Sequence, residues 1–212
     1  MGCFLSIVYD APSWALVEKP SGMLSVPGRG PEKKDSVAYR FRHCYPDSIV
    51  QPAVHRLDMA TSGLLLLAKT KESHRNLSIQ FQNRDVKKEY EALLDGVPST
   101  RSGRIELPFR LDPENRPRQV YDPVYGKWGV TRWYLRGVES GRARVCFIPE
   151  TGRTHQLRLH AAHEHGLGIP IVGDFLYGRG VNTHSLLLHA TKLAFTDPDS
   201  GVWRSFSSPV PF

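Results

Sequence analysis

The chain has 212 residues, 40% of them hydrophobic, and 28 Lys and Arg stand against 21 Asp and Glu for a formal charge of +7. That length suits one domain with a real core, no apolar run is long enough to span a membrane as a helix, and the N-terminus lacks the charged start and apolar core of a secretory signal. The basic balance favours polyanionic partners, and three widely spaced cysteines, Cys3, Cys44 and Cys146, predict a reducing compartment rather than a zinc knuckle or a disulfide frame.

Met1-Gly2-Cys3-Phe4-Leu5-Ser6 fits an N-terminal acylation pattern, but residues 4–9 also read as a first strand, and we take the strand. Residues 14–18 read as a second. The prolines and glycines of Lys19-Pro20-Ser21-Gly22-Met23-Leu24-Ser25-Val26-Pro27-Gly28 forbid a regular helix. Asp35-Ser36 is a capping signal for a helix to about Tyr45, stopped by Pro46. The apolar run from Leu64 to Ala68 has the length of a buried strand, and Gly63 before it marks a tight backbone passage. Thr70 caps a helix over 71–83, with Leu77 and Phe81 facing inward. Residues 87–96 read as a strand ending in a turn.

Residues 97–129 are rich in Pro, Gly and Arg. They predict a short strand around 104–107 and then a long irregular segment carrying Arg110, Arg116, Arg118 and Lys127; such loops in compact domains are usually functional or mobile. Residues 130–139 and 143–150 form an antiparallel pair joined at Ser140-Gly141. Thr154 caps a helix to about His165, closed by Gly166, and residues 186–195 and 203–207 are closing strands. The pattern defines an α+β fold: a mixed, largely antiparallel sheet with helices and loops flanking a basic cleft.

Arginines alternate with aromatics in Tyr39-Arg40-Phe41-Arg42 and Arg132-Trp133-Tyr134-Leu135-Arg136, which suits splayed-out RNA bases as well as ordinary amphipathic faces. His155, His160, His163 and His165 crowd one stretch, but the His-Glu-x-x-His spacing of zinc hydrolases is absent; structural or RNA-facing roles are preferred to metal ligation. Neither a P-loop nor a dinucleotide fingerprint is present. Asp58 alone would be a turn-former bonded to its own backbone.

Its surroundings point elsewhere. His55-Arg56-Leu57-Asp58-Met59-Ala60-Thr61-Ser62-Gly63, followed by the Leu-rich run, resembles the catalytic motif of RluA-type pseudouridine synthases. Lys19-Pro20-Ser21-Gly22, Lys88-Glu89-Tyr90, the Thr151-Gly152-Arg153-Thr154-His155-Gln156-Leu157-Arg158-Leu159-His160 string and the Gly168 to Gly178 segment resemble further motifs of that family. The resemblance covers the chain from about Ile7 onward. It implies that Asp58 is the catalytic aspartate, that Tyr90 stacks on the target uracil and is a candidate for the final proton step, and that Leu157 packs against the base. Arg158 is expected to pair with Asp58 and offset the cost of burying a carboxylate. Arg56, beside Asp58, is placed to fill the space left by an extruded base; His55 and Arg116 complete the RNA-facing candidates. Lys19 is expected to pack near the site or to support it from behind rather than to act in catalysis, and Asp174 and His189 are expected in structural roles.

The resemblance also implies a reaction without cofactor or metal, an RNA partner, a single catalytic domain over 1–212 with no S4 module, a monomer and a cytoplasmic location. Asn115-Arg116-Pro117-Arg118-Gln119 is similar to the family's dual-specificity branch, which implies uridines in the anticodon stem-loop of tRNA and in a hairpin loop of large-subunit (23S) rRNA. Alternatives are the same chemistry on one RNA class, or a non-catalytic RNA-binding or chaperone module. A metal-dependent RNA hydrolase would need a ligand set that the sequence does not display.

Overall fold

A computed structural model describes residues 5–178 and 185–212. Residues 1–4, where the acylation pattern and the start of the predicted first strand fall, lie outside the described residues. The architecture is α+β, with ten strands and three α-helices among the described residues and largely antiparallel pairing. Two compact units make up the chain: residues 1–88 with 190–211, and residues 89–189 with Phe212. No helix among the described residues is long and apolar enough to cross a membrane.

In the first unit β1 (Ser6–Asp10), β2 (Trp14–Lys19) and β3 (Ser62–Ala68) lie side by side, followed by β9 (Leu188–Thr196) and β10 (Trp203–Ser207). Every residue of β3 is buried, so it reads as an unbroken apolar run, as expected for a strand covered on both faces. Helix α1 (Val37–Cys44) is capped by Ser36, whose side chain accepts from Tyr39 N–H. Helix α2 (Lys71–Asn83) is capped by Thr70 in the same way and ends at a left-handed Arg84. Leu77 of α2 packs with Trp14, Leu16, Leu64, Leu66 and Phe195 in one core, with Phe81 against it. Gly63 is the point of closest approach between strands. At φ 110° it lies in the left-handed half of the map, and a Cβ there would strike the Ala190 main chain, so only glycine fits.

The second unit orders its strands β4 (Lys87–Leu94), β8 (Arg142–Pro149), β7 (Lys127–Glu139), β5 (Ser102–Leu111) and β6 (Gln119–Tyr121). Strands β7 and β8 are joined by Ser140 and Gly141, both at positive φ (50° and 76°), with Glu139 opposite Arg142: a two-residue hairpin whose twist matches its strands.

Two expectations are corrected here. The strand predicted at 104–107 runs from Ser102 to Leu111. Pro108 suggests a break because it has no N–H to give, but it sits in register opposite Trp128 and its carbonyl accepts Asp122 N–H at 3.0 Å. The segment beyond is a built turn rather than an irregular loop. Asp112 accepts from Glu114 and Asn115 N–H, and Asp112 N–H is bonded to Arg118 O before β6 begins.

The helix expected over 154–165 is α3 (Gln156–Ala162), seven residues long. Its cap is His155, in a left-handed conformation with no side-chain capping bond, and His163 turns extended to end it. Thr154 does not cap because the side chain that ties this end down is that of Gln156. The Gln156 amide donates to Val130 O and Thr131 Oγ1 of β7 and accepts from Thr151 Oγ1 and Arg153 N–H.

Cys146 is a buried free thiol.

Candidate active site

The loop that carries Asp58 is held almost entirely by its main chain. Ser25 Oγ donates to Leu57 O at 2.7 Å and accepts Leu57 N–H at 3.0 Å. Ser21 Oγ donates to Ala60 O at 2.7 Å. Gly22 N–H reaches Met59 O at 2.9 Å, and Thr61 N–H closes the turn onto Asp58 O at 3.1 Å.

Lys19, the last residue of β2, completes the arrangement. Its Nζ donates to Pro20 O (2.9 Å), Met23 O (2.7 Å) and Met59 O (3.0 Å), with no part of the residue exposed. Burial draws its pKa down to about 8, and the negative charge of Asp58 opposes the shift. Lys19 is therefore a cation at neutral pH, and three carbonyls match the three N–H bonds of an ammonium group. It binds the Lys-Pro-Ser-Gly stretch to the Asp58 loop and places a positive charge in the field of that carboxylate. Asp58 is half-buried, and its carboxylate makes no hydrogen bond or ion pair among the described residues.

His55 and Arg56, adjacent in sequence, do different things. The Nε2 of His55 accepts Leu66 N–H at 3.0 Å, and its ring stacks on Phe81 at 4.5 Å. A backbone N–H can only donate, so Nε2 carries no proton and the ring is neutral; burial, with Lys88 adding repulsion, pushes its pKa down to about 3. Arg56 is exposed and makes no hydrogen bond or ion pair among the described residues.

In the second unit Tyr90 stands opposite Phe147 on β8, which stands opposite Trp133 on β7. Directly paired residues point to the same face, as do residues two apart on one strand. Tyr90 therefore shares its face with Thr131, the residue that anchors α3. It is half-buried.

Arg158, on the first turn of α3, is 2% exposed. Its guanidinium forks onto Asp174, with Nε to Oδ2 at 2.8 Å and Nη2 to Oδ1 at 2.6 Å. Leu176 and Tyr177 N–H add two bonds to Asp174 Oδ1. A buried ion pair holds when its remaining polar atoms are also satisfied, and this carboxylate is. The rings of Phe175 and Tyr177 lie 5.5 and 5.3 Å from the guanidinium carbon. Leu157 is 7% exposed, so the free protein already covers it.

Arg116 is exposed in the 112–118 turn. His155 meets the Tyr177 hydroxyl at 2.9 Å, His160 is wholly buried, and His163 and His165 flank Tyr121. Among the described residues no three His, Cys, Asp or Glu side chains are grouped to hold a metal.

Sequence reasoning missed three things. Lys19 holds three carbonyls, Asp174 holds Arg158, and Tyr177 touches both α3 and β6. Each lies in a stretch already picked out as family-like, but which atoms meet depends on contacts far apart in sequence.

Residues 13–163 match the RNA pseudouridylate synthase family, and the chain belongs to it: it is an RNA pseudouridine synthase, an isomerase. It is 41% identical over 213 residues to the dual-specificity RNA pseudouridine synthase RluA of Haemophilus influenzae and 42% identical to that of Escherichia coli K12. Each match covers 99% of this chain and 94% of the relative. Among solved structures, human RNA pseudouridylate synthase domain containing 1 superposes with a TM-score of 0.79 at 28% identity, over 99% of this chain and 85% of that one. Human RNA pseudouridylate synthase domain containing 4 shares the fold at a TM-score of 0.77 and 22% identity, over 97% of this chain and 88% of its own.

Proposed function

We propose that this synthase isomerises uridines in two RNAs, the anticodon stem-loop of tRNA and a hairpin loop of 23S rRNA, as a cytoplasmic monomer, with Asp58 as its catalytic carboxylate. The reaction breaks the C1′–N1 bond, turns the uracil, forms a C1′–C5 bond, and moves the C5 proton off while N1 gains one. Nothing is oxidised or reduced. Asp58 serves either by adding to C1′ or by removing the C2′ proton, and both routes need a carboxylate held still against the ribose. The observation that carries the reading is the Asp58 loop: its main chain is fixed at Leu57, Asp58, Met59 and Ala60, and its carboxylate is left without a hydrogen-bond partner among the described residues.

The other roles follow from chemistry. Extruding a uridine costs roughly a few kcal/mol, and stacking on Tyr90 returns about 1–3 kcal/mol. Arg56, exposed and unengaged, fills the vacated place in the stack. Arg158, immobilised by Asp174, is the cation of the uridine site, and Leu157 supplies apolar contact to the base. Arg116 meets phosphate, and His55 serves from behind by fixing β3. The two-substrate reading is supported by the named specificity of the 41–42% identical relatives and by the Asn115–Gln119 string.

The test is tritium release from 5-tritiated uridine in the two RNAs, with Asp58→Asn as the comparison. The wild type releases tritium from both; the variant binds RNA as tightly and is slower by at least about a thousandfold. Appreciable turnover by Asp58→Asn sinks the assignment, and release from one RNA only reduces the specificity to one class. Mapping pseudouridines in total RNA with and without the gene identifies the uridines.

A further inference from the structure

Tyr177 stands where the arginine-bearing turn and the Arg158 helix meet. Its hydroxyl accepts Gln119 N–H at 2.8 Å, at the first residue of β6 and one beyond Arg118. The same hydroxyl lies 2.9 Å from His155 Nδ1. Gln119 N–H can only donate, so the phenol oxygen accepts there and links the Gln119 amide to the imidazole. His155 is the residue before α3, buried and held at φ 55°. A left-handed conformation in a residue other than glycine is strained and persists only where its surroundings impose it. The ring of Tyr177 meanwhile faces two guanidinium groups, Arg118 at 5.6 Å and Arg158 at 5.3 Å, and its own N–H bonds the Asp174 carboxylate that grips Arg158.

Arg118 is exposed and sits two residues from Arg116 in a turn tied back on itself by Asp112. A phosphate drawn to this turn pulls on Arg118 and Gln119, and both are joined to Tyr177. Through the hydroxyl that pull reaches the residue that starts α3; through the ring it reaches Arg158.

We propose that Tyr177 is a positioning residue that couples RNA contact at Arg118 to the placement of Arg158, so that correct docking of the RNA and assembly of the catalytic arginine are one event. This rests on the reading of Arg158 as part of the uridine site and adds to it a means by which RNA recognition raises the rate of chemistry as well as affinity.

The experiment is a double-mutant cycle on Arg118→Ala and Tyr177→Phe, using the tRNA stem-loop with 5-tritiated uridine. RNA affinity and the single-turnover rate at saturating RNA are measured separately, and thermal melting checks that each variant folds. Tyr177→Phe keeps the ring and loses the hydroxyl bonds; it lowers the saturating rate roughly fivefold, the worth of a hydrogen bond or so, and leaves affinity nearly unchanged. Arg118→Ala alone lowers both affinity and the saturating rate. In the Tyr177→Phe background it lowers affinity as before but slows the saturating rate clearly less than it does in the wild type, because the hydroxyl route is gone and only the ring contact remains. Rate effects that multiply independently, or a Tyr177→Phe rate equal to wild type, overturn the coupling. A wild type that releases no tritium from either RNA overturns the functional reading and the coupling with it, whereas an active wild type with independent effects overturns the coupling alone.

Discussion

The ammonium of Lys19 donates to the carbonyl of Met59, the residue after Asp58, at 3.0 Å. With two further carbonyl bonds from the same nitrogen, it closes a strand end onto the Asp58 loop. The same ammonium feels the negative charge of Asp58.

Lys19→Met keeps the length and removes every donor. Hydrogen bonds from a charged donor contribute about 1.5–3 kcal/mol each, so the urea midpoint falls by an amount equal to about 3 kcal/mol or more. Turnover falls further than RNA affinity, because the loop that aims Asp58 loosens. Urea titration and single-turnover tritium release on the same preparation check both; an unchanged midpoint would mean that the three bonds contribute nothing.

Asp174→Asn leaves the shape and removes the charge opposite Arg158. Breaking one side of a buried pair strands the other charge, at about 3–5 kcal/mol. The expected result is a large drop in thermal stability together with lost activity. Asp174→Glu, which restores charge at the wrong reach, recovers part of the stability and little of the rate.

Acid sensitivity comes from two buried rings. Burial lowers the His160 pKa to about 4, and that of His55 is about 3, both down from 6.5. As pH falls below 6.5 the unfolded chain takes up protons that the folded chain refuses, so stability is lost between 6.5 and about 4, at up to about 1.4 kcal/mol per pH unit for each ring. Neither nitrogen of His160 has a hydrogen-bond partner among the described residues. His160→Phe removes that titration. Urea midpoints at about pH 7 and about pH 5 show a steep loss for the wild type and a shallower one for the variant.

Gly63→Ala meets the Ala190 main chain at a φ of 110°. Backbone cannot swing aside as a side chain can, so the variant loses about 3 kcal/mol or more. Equilibrium unfolding measures it, and a loss below that of an ordinary surface change would contradict the close approach.

What the sequence makes legible is what is local. Helix α2 was readable to the residue because Thr70 and the Leu77–Phe81 pair are signals within one helix. The β7–β8 hairpin was readable because two residues at its tip carry the turn. Strand β5 was cut short at Pro108, whose acceptability depends on a partner fourteen positions away, Asp122. Helix α3 was overextended because Thr154 looks like a cap, while the holding side chain is Gln156, bonded across to β7. In the site, residue identities were visible as motifs and their partnerships were not. No local signal announces that Arg158 is forked onto Asp174 or that Lys19 ties three carbonyls together.

Holding the Asp58 loop by its carbonyls leaves two of its side chains with nothing to hold. Met59 and Ala60 contribute through main-chain oxygen, which every amino acid possesses, and the Met59 side chain faces solvent. These two places are therefore open to drift or to deliberate labelling: a spectroscopic probe at position 59 would ride beside Asp58 on a loop tethered through its main chain.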